Sequence, residues 1–168
     1  MNYRVKYSEQ EVSAAIKRLA DGITINEDTL ILVLMNGGLW FAHELVERLH
    51  DRTVEVQYVK VSSYRGKTRT SLKLEYFPHI DWAQKRIIVV DDICDSGQTL
   101  CMMSEELKKY NPISIRFVTL LQRTHRMQLT DDIDLVSGIC DESDDFFVGC
   151  GLDDNGKARY LPYIGVVE

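Results

Sequence analysis

The chain has 168 residues and a formal net charge of −6; 45% of its residues are hydrophobic and 27% are charged. This length and composition predict a single globular domain over residues 1–168. The acidic balance, with a pI of about 5.2, disfavours nucleic acid or an anionic membrane as the main partner, because both bind basic surfaces. No apolar run approaches the about 18 residues that a membrane helix needs, and the four cysteines form no C-x-x-C pair. We therefore expect a reduced, cytoplasmic protein without nucleic-acid or membrane partners.

The hydrophobic pattern predicts helices and strands that alternate along the chain. Ser8 and Glu11 form a capping box before the first predicted helix, whose apolar residues follow at helical spacing. A second helix is predicted around residues 42–49 and a third over 98–110. The polar, basic residues 62–71 have no periodicity, which predicts a mobile loop. The predicted strands span residues 29–34, 54–61, 72–77, 86–90, 113–121, 133–139, 146–148 and 163–167.

This order of elements predicts an α/β fold with a mostly parallel, twisted sheet and helices on both faces. Ligands of such sheets bind beyond the carboxyl ends of the strands. The turns at 35–38, 62–71, 91–99 and 122–126 all follow predicted strands. We therefore expect these turns to meet at one edge of the sheet.

The most informative segment spans residues 86–100. Residues 87–90 are typical of a buried parallel strand, and Asp91 and Asp92 are predicted to cap it. A turn of small and polar residues, 95–99, then leads into a helix. Carboxylates at a strand end accept hydrogen bonds from sugar hydroxyls or bind a metal, while N–H groups at a helix start bind phosphate. The segment therefore predicts a sugar-phosphate site.

This segment resembles the phosphoribosyl-pyrophosphate (PRPP) binding motif of the type I phosphoribosyltransferases, which has a hydrophobic strand, two acids, a spacer and a D-[ST]-G-x-T loop. The resemblance implies the type I phosphoribosyltransferase fold, with a small hood and a flexible lid loop. It also implies that Asp91 and Asp92 bind the ribose of PRPP and that Asp95 is catalytic. The residues implied to bind the 5′-phosphate are Asp95, Ser96, Gly97, Gln98 and Thr99.

A second motif, Met35-Asn36-Gly37-Gly38, lies between a predicted strand and a predicted helix. Its glycines permit close backbone approach to an anion. The motif resembles the pyrophosphate loop of purine phosphoribosyltransferases, which implies that Asn36 and Gly37 contact pyrophosphate and that a non-proline cis peptide joins Met35 to Asn36. Many relatives have a lysine where Asn36 stands. We therefore expect weaker pyrophosphate contact, or more reliance on Mg²⁺.

Residues 62–69 resemble the flexible loop that closes over the active site in the hypoxanthine-guanine branch of the family. The resemblance implies that Ser63 and Tyr64 belong to a lid. A lid makes physical sense because it keeps water away from a reactive sugar centre. Without the family context, the same residues fit a solvated surface loop equally well.

Residues 145–165 resemble the C-terminal segment of the same branch. The resemblance implies that the ring of Phe146 stacks on the purine, that the Phe147 backbone contacts the base edge and that Leu152 lines the base pocket. Relatives use a lysine to donate to the 6-oxo group of the purine, and Arg123 occupies that lysine's place. Because a guanidinium is longer and planar, the preference among hypoxanthine, guanine and xanthine stays open.

These motifs imply that PRPP and a 6-oxopurine react to give a nucleoside monophosphate and pyrophosphate, with Mg²⁺ as the cofactor. The implied metal ligands are Asp91, Asp92 and Asp153, and Arg159 is implied to contact pyrophosphate. Asp95 is implied to take the N7 proton as N9 of the purine attacks C1′ of the sugar. Since the family tends to form dimers or tetramers, a homodimer or homotetramer is also implied.

Three alternatives remain open on the sequence. A pyrimidine-operon regulator of the same fold, which binds RNA and uracil nucleotides, has a faintly similar run at 122–126. A phospho-receiver domain, which is not an enzyme, also has paired aspartates at a strand end, although early in its chain and without the S-G-x-T loop. An adenine-type transferase is the third, but the acid at Asp95 favours a 6-oxopurine.

Overall fold

The computed structural model describes residues 2–65 and 70–168, and it describes no side chains from residue 63 to residue 71. Its described strands and helices alternate for most of the chain. In chain order they are β1 (Tyr3–Tyr7), α1 (Glu9–Asp21), β2 (Thr29–Met35), α2 (Gly38–Val46), β3 (Glu55–Arg65), β4 (Thr70–Tyr76), β5 (Arg86–Cys94), α3 (Gln98–Lys108), β6 (Ser114–Arg123), β7 (Leu135–Asp141), β8 (Phe147–Val148) and β9 (Ile164–Val167).

Six strands form the main sheet in the order β4-β3-β2-β5-β6-β7. Neighbouring strands from β3 to β7 run parallel, and β4 pairs with β3 antiparallel. A smaller antiparallel sheet in the order β1-β9-β8 forms the hood. The predicted α/β fold with a mostly parallel sheet is confirmed.

The central strand β2 shows why helices cover both faces of the main sheet. Six of its seven residues are buried, because a parallel central strand has protein on both sides. Ile31 and Val33 pack into the cluster that includes residues of α1 and α2. Leu30 and Leu32 pack into the opposite cluster, which includes residues of α3.

Helix α1 begins as the sequence predicts. The backbone N–H of Ser8 donates to Oε2 of Glu11 at 2.8 Å, and the N–H of Glu11 donates to Oγ of Ser8 at 3.3 Å. This reciprocal capping box satisfies two donors that the helix itself leaves unpaired. The capping-box prediction is confirmed.

The fold differs from the sequence predictions at β1, at residues 62–71, at the end of β5 and at α2, which spans Gly38–Val46 where the sequence predicted a helix around 42–49. Strand β1 was not predicted, because its partner β9 lies more than 150 residues away and no local turn marks the pairing. The prediction of a mobile loop over 62–71 was wrong for the described residues, since 62–65 continue β3 and 70–71 belong to β4. Ser63 pairs with Leu72 and Tyr64 with Ser71, and antiparallel pairing satisfies their backbone groups. The lid prediction concerns their side chains and residues 66–69, which lie outside the described residues.

The order of the strands places a crevice between β2 and β5. These strands are parallel neighbours, while the helices that follow them, α2 and α3, pack on opposite faces. Such a switch point is where ligands of open α/β sheets bind. The turns after β2 and β5 are the two motifs that the sequence marked as anion sites.

Among the described helices, each is too short or too polar to cross a membrane.

Candidate active site

The turn between β5 and α3 has the geometry of an anion site. Gly97 has φ of +85° and precedes the first residue of α3. In the described part of the chain, no side chain caps this helix start and no acid lies in its first turn. Oγ of Ser96 accepts only a long contact of 3.4 Å from the N–H of Gln98. The N–H groups of the first turn and the positive end of the helix dipole therefore face a potential ligand.

This turn is braced from behind. The N–H of Gln128 donates to the carbonyl of Ser96 at 2.9 Å. A Cβ at Gly97 would lie 2.4 Å from Cδ2 of Leu129. Position 97 therefore requires glycine for two reasons, its positive φ and the close approach of Leu129.

Asp91 and Asp92 lie within β5 and do not cap it, which corrects the sequence prediction. The strand continues to Cys94 because β6 continues beside it, with Asp91 opposite Thr119 and Cys94 opposite Gln122. The N–H of Asp92 donates to Oδ1 of Asp91 at 2.9 Å. The two side chains are close enough for their carboxylates to act on each other.

Burial dominates the electrostatics of this pair. Burial and the neighbouring Asp92 raise the pKa of Asp91 well above its usual value. Burial also raises the pKa of Asp92, although Asp91 and Arg159 act in the other direction. Both carboxylates are therefore costly to keep charged and would be stabilised by a cation or by hydroxyl donors.

The turn after β2 packs directly against Asp92. A Cβ at Gly37 would lie 2.0 Å from Oδ2 of Asp92, and a Cβ at Gly151 would lie 2.2 Å from the carbonyl oxygen of Gly37. Gly151 has φ of +108°. The peptide bond between Met35 and Asn36 is cis, as the resemblance implied. The hood loop, the turn at 35–38 and the acids of β5 thus meet at one point.

The hood loop joins two further predicted residues. Nη2 of Arg159 donates to Oδ1 of Asp153 at 2.6 Å, and Nη1 of Arg159 donates to the carbonyl of Gly151. The second carboxylate oxygen of Asp153 accepts the N–H of Gly156 at 2.7 Å. The predicted pyrophosphate ligand and the predicted metal ligand therefore form an ion pair on the rim of the site.

A cavity of about 440 Å³ is lined by all four predicted purine residues. Phe146 is 57% exposed and Phe147 is 5% exposed. The described side chains that line this cavity belong to Asp92, Ile93, Asp95, Arg123, Arg126, Asp144, Asp145, Phe146, Phe147, Leu152 and Asp153. The structure thus brings Phe146 and Phe147, Asp95 and the predicted metal ligand Asp153 to one pocket.

Arg123 is the last residue of β6 and is buried. Its Nη1 and Nη2 donate to the carbonyls of Ser143 and Asp145. Its guanidinium carbon lies 4.5 Å from the centroid of the Phe147 ring, which is a cation–π distance. The predicted base contact is therefore also an anchor for the chain that precedes the aromatic residues.

A family comparison adds to this geometry. The family model of the phosphoribosyl transferase domain matches residues 4–155 of the chain. The chain belongs to the phosphoribosyltransferase family.

Relatives of this phosphoribosyltransferase match it over nearly its whole length. The hypoxanthine-guanine phosphoribosyltransferase of Streptococcus mutans is 30% identical over 171 residues, which cover 98% of this chain and 93% of the relative. The enzyme of the same name from Bacillus subtilis is 32% identical over 170 residues, with the same coverage.

Solved structures give the same match. A hypoxanthine-guanine phosphoribosyltransferase of Bacillus anthracis has a TM-score of 0.87 and 29% identity, and 98% of each chain is covered. A hypoxanthine phosphoribosyltransferase of Staphylococcus aureus has a TM-score of 0.88 and 25% identity, with 98% of this chain and 91% of that one covered.

The sequence did not mark every residue of the pocket in this phosphoribosyltransferase. Nη1 of Arg126 lies 3.6 Å from Oδ1 of Asp95, and Nε of Arg126 donates to Oδ1 of Asp144 at 2.9 Å. Nε2 of His125 lies 2.8 Å from the same oxygen of Asp144. The sequence has basic residues at 123–126 and acidic residues at 141–145, and this opposite charge could have indicated that the two segments pair. Each segment alone, however, also fits a solvated loop.

Proposed function

We propose that this phosphoribosyltransferase serves purine salvage by transferring the 5-phosphoribosyl group of PRPP to hypoxanthine or guanine, which gives IMP or GMP and pyrophosphate. The observation that carries the proposal is the shared pocket of Asp92, Asp95, Arg123 and Phe146 beside the start of α3. Relatives named for hypoxanthine and guanine support the choice of base. Xanthine is the third 6-oxopurine to be tested, because Arg123 stands where the resemblance implies a lysine.

The 5′-phosphate is proposed to bind at the start of α3. Its negative charge matches the helix dipole, and the N–H groups from Gly97 to Thr99 and the Ser96 hydroxyl are suitable donors. Asp91 and Asp92 are proposed to accept hydrogen bonds from the ribose hydroxyls. Their negative charge also stabilises the positive charge that develops on the sugar in the transition state.

The acids of this site fit Mg²⁺ shared with the substrate. Within residues 2–65 and 70–168, no three His, Cys, Asp or Glu side chains group as a ready metal site. Mg²⁺ is commonly held by one or two carboxylates together with substrate phosphates, and the half-buried Asp91–Asp92 pair would be stabilised by a cation. We propose Asp91, Asp92 and Asp153 as the residues that hold it. When bound, Mg²⁺ neutralises charge on the departing pyrophosphate.

The reaction is a displacement at C1′ of the ribose. The bond between C1′ and the pyrophosphate oxygen breaks, and its electron pair leaves with pyrophosphate. A lone pair on N9 of the purine forms the new bond to C1′, and the proton on N7 passes to the Asp95 carboxylate. Asn36, Gly37 and Arg159 are proposed to contact the departing pyrophosphate. Ser63 and Tyr64 are proposed to belong to a lid that excludes water.

The base is proposed to stack on the ring of Phe146 while its edge contacts the backbone of Phe147, with Leu152 lining the pocket. Each Nη group of Arg123 already donates one hydrogen to a carbonyl. The remaining N–H groups of this guanidinium are the proposed donors to the 6-oxo group.

Pyrophosphate release tests this proposal directly. The protein would be given PRPP and Mg²⁺ with hypoxanthine, guanine, xanthine, adenine or uracil in separate reactions. We expect turnover with a 6-oxopurine, and a decrease in kcat of about 10²- to 10⁴-fold in Asp95→Asn. The exposed Asp131→Asn is the matched control and should keep wild-type kcat. Turnover with none of the bases, or unchanged turnover in Asp95→Asn, would refute the proposal.

The remaining features of the proposal need separate measurements. We propose a cytoplasmic homodimer or homotetramer that requires Mg²⁺, and sedimentation analysis and EDTA inhibition test these two properties. Family membership argues against a receiver domain, and the named relatives do not favour an RNA-binding regulator. Retention of RNA on a filter by this protein would reopen that alternative.

A further inference from the structure

The chain that leads to the proposed stacking ring, residues 141–147, is called the approach segment. Phe146 within it is 57% exposed, so packing alone does not fix its ring. The position of this ring depends on how firmly the backbone on either side is held. The contacts of the approach segment therefore bear on how well the base site is formed before a purine arrives.

The buried carboxylate of Asp141 holds the start of the approach segment. Its Oδ1 accepts the N–H of Ser143 at 2.6 Å and the Ser143 hydroxyl at 2.5 Å. Its Oδ2 accepts the hydroxyl of Tyr7 at 2.6 Å and lies 3.2 Å from Nζ of Lys6. A single side chain thus ties the end of β7 to its own loop and to β1 of the hood.

Lys6 holds the middle of the approach segment. Its Nζ donates to Oδ2 of Asp145 at 2.5 Å and to Oγ of Ser143 at 2.6 Å. The same ammonium lies 5.5 Å from the centroid of the Phe147 ring. Burial lowers the pKa of Lys6, but the hydrogen bonds with Asp145 and Asp141 raise it overall. The ammonium is therefore a charged, fully engaged member of the network.

The guanidinium of Arg123 holds the backbone of the approach segment, because it donates to the carbonyls of Ser143 and Asp145. Lys6 and Arg123 thus both bind residues that precede Phe146, Lys6 through the carboxylates of Asp141 and Asp145 and Arg123 through two carbonyls. Side chains with several hydrogen bonds lose little further freedom when a ligand binds, which is how preorganisation raises affinity.

We propose that Lys6 and Asp141 are positioning residues for the purine, which fix the approach segment so that Phe146 and the Phe147 backbone are in place before the base binds. This inference rests on the proposed function, because it assigns the base to this pocket. It makes β1, a strand of the hood, part of the machinery for base recognition although it does not line the pocket.

Initial-rate kinetics of Lys6→Met, Lys6→Arg and Tyr7→Phe test the proposal, with Lys17→Met as the matched control. Lys17 lies on α1, is exposed and pairs with Asp21. It is distant in sequence from the approach segment. In Lys6→Met we expect the KM for hypoxanthine or guanine to rise by about 10- to 100-fold, while the KM for PRPP stays near wild type. Lys6→Arg should restore much of the affinity for the base, because a guanidinium can also bridge both carboxylates.

Tyr7→Phe removes one hydroxyl and keeps the ring, so it keeps the test valid if Lys6→Met does not fold. We expect a smaller rise in the same KM. Equal rises in both KM values, a fall in kcat alone, or wild-type kinetics in Lys6→Met and Tyr7→Phe would overturn the proposal. A wild-type protein without turnover would overturn the proposed function and this inference together. If the wild type is active but the variants do not raise the KM for the base more than the KM for PRPP, the inference alone would be overturned.

Discussion

Nε of Arg123 lies 3.1 Å from Oδ1 of Asp95, whose carboxylate is the proposed proton acceptor. In the described part of the protein, this buried nitrogen makes no hydrogen bond of good geometry. Arg126 approaches the same oxygen from the side exposed to solvent. Arg123 at the end of β6 and Arg126 in the following turn therefore lie beside Asp95. These contacts join the proposed base site to the proposed sugar-phosphate site in one pocket.

Arg123→Lys should lower the free energy of unfolding by about 1–3 kcal/mol. A single ammonium cannot reproduce the planar fork that reaches two carbonyls. The exposed Arg116→Lys, which alters one surface ion pair on the same strand, should change stability by less than about 0.5 kcal/mol. Urea unfolding measures both variants, and equal stability losses would contradict the anchoring role of Arg123.

Gly97→Ala should be more damaging than Gly156→Ala. Both glycines have a positive φ, but a Cβ at Gly97 would lie 2.4 Å from Leu129, whereas a Cβ at Gly156 would meet no atom within 4 Å. Gly156→Ala thus isolates the cost of the φ angle, about 1–2 kcal/mol. The clash in Gly97→Ala adds to this cost, and we expect a higher KM for PRPP in this variant alone. Unfolding curves and kinetics that are the same for both variants would be inconsistent with this packing.

The contribution of Asp141 to stability should depend on pH. Burial acts to raise the pKa of Asp141, but hydrogen bonds from Ser143, Tyr7 and Lys6 hold it well below the usual value. A lowered pKa in the folded state adds stability above the unfolded value of about 3.9, and this stability disappears as pH falls below it.

Asp141→Asn should therefore be less stable than wild type at pH 7, by about 1–3 kcal/mol, and the difference should shrink below about pH 4. Unfolding by urea across this pH range measures the difference. The exposed Asp134→Asn controls for the loss of one negative charge. A difference that stays constant down to low pH would show that the charge of Asp141 does not matter.

The four thiols should react at very different rates in the folded protein. Burial raises the pKa of Cys94 to about 11 and that of Cys150 to about 12, while Cys140 is exposed and Cys101 is half-buried. A rise of two units lowers the thiolate fraction about 100-fold, and the thiolate is the reactive form. Iodoacetamide at pH 8 followed by peptide mass spectrometry should label Cys140 first. Labelling of Cys94 as fast as Cys140 would contradict its burial inside the phosphate motif.

The phosphate motif shows how far local sequence reaches. The β-branched run before Asp91, the glycine at 97 and the helical spacing after it are all local signals, and β5, the turn and α3 form where they predict. The end of β5 was placed too early, because the strand length depends on β6 beside it. Asp91 and Asp92, which the sequence predicted to cap the strand, therefore lie within it.

The sequence by itself determined the order of elements, the α/β class and the two anion turns, since hydrophobic periodicity, capping residues and glycines act over a few residues. Only the tertiary structure decided that Lys6 and Asp141 meet, that Arg123 spans two carbonyls of a distant loop and that Gly37 touches Asp92. Such contacts join residues that are far apart in the chain and depend on the packing of the hood against the sheet. Local patterns do not encode them, because each of these side chains alone also fits a solvated surface.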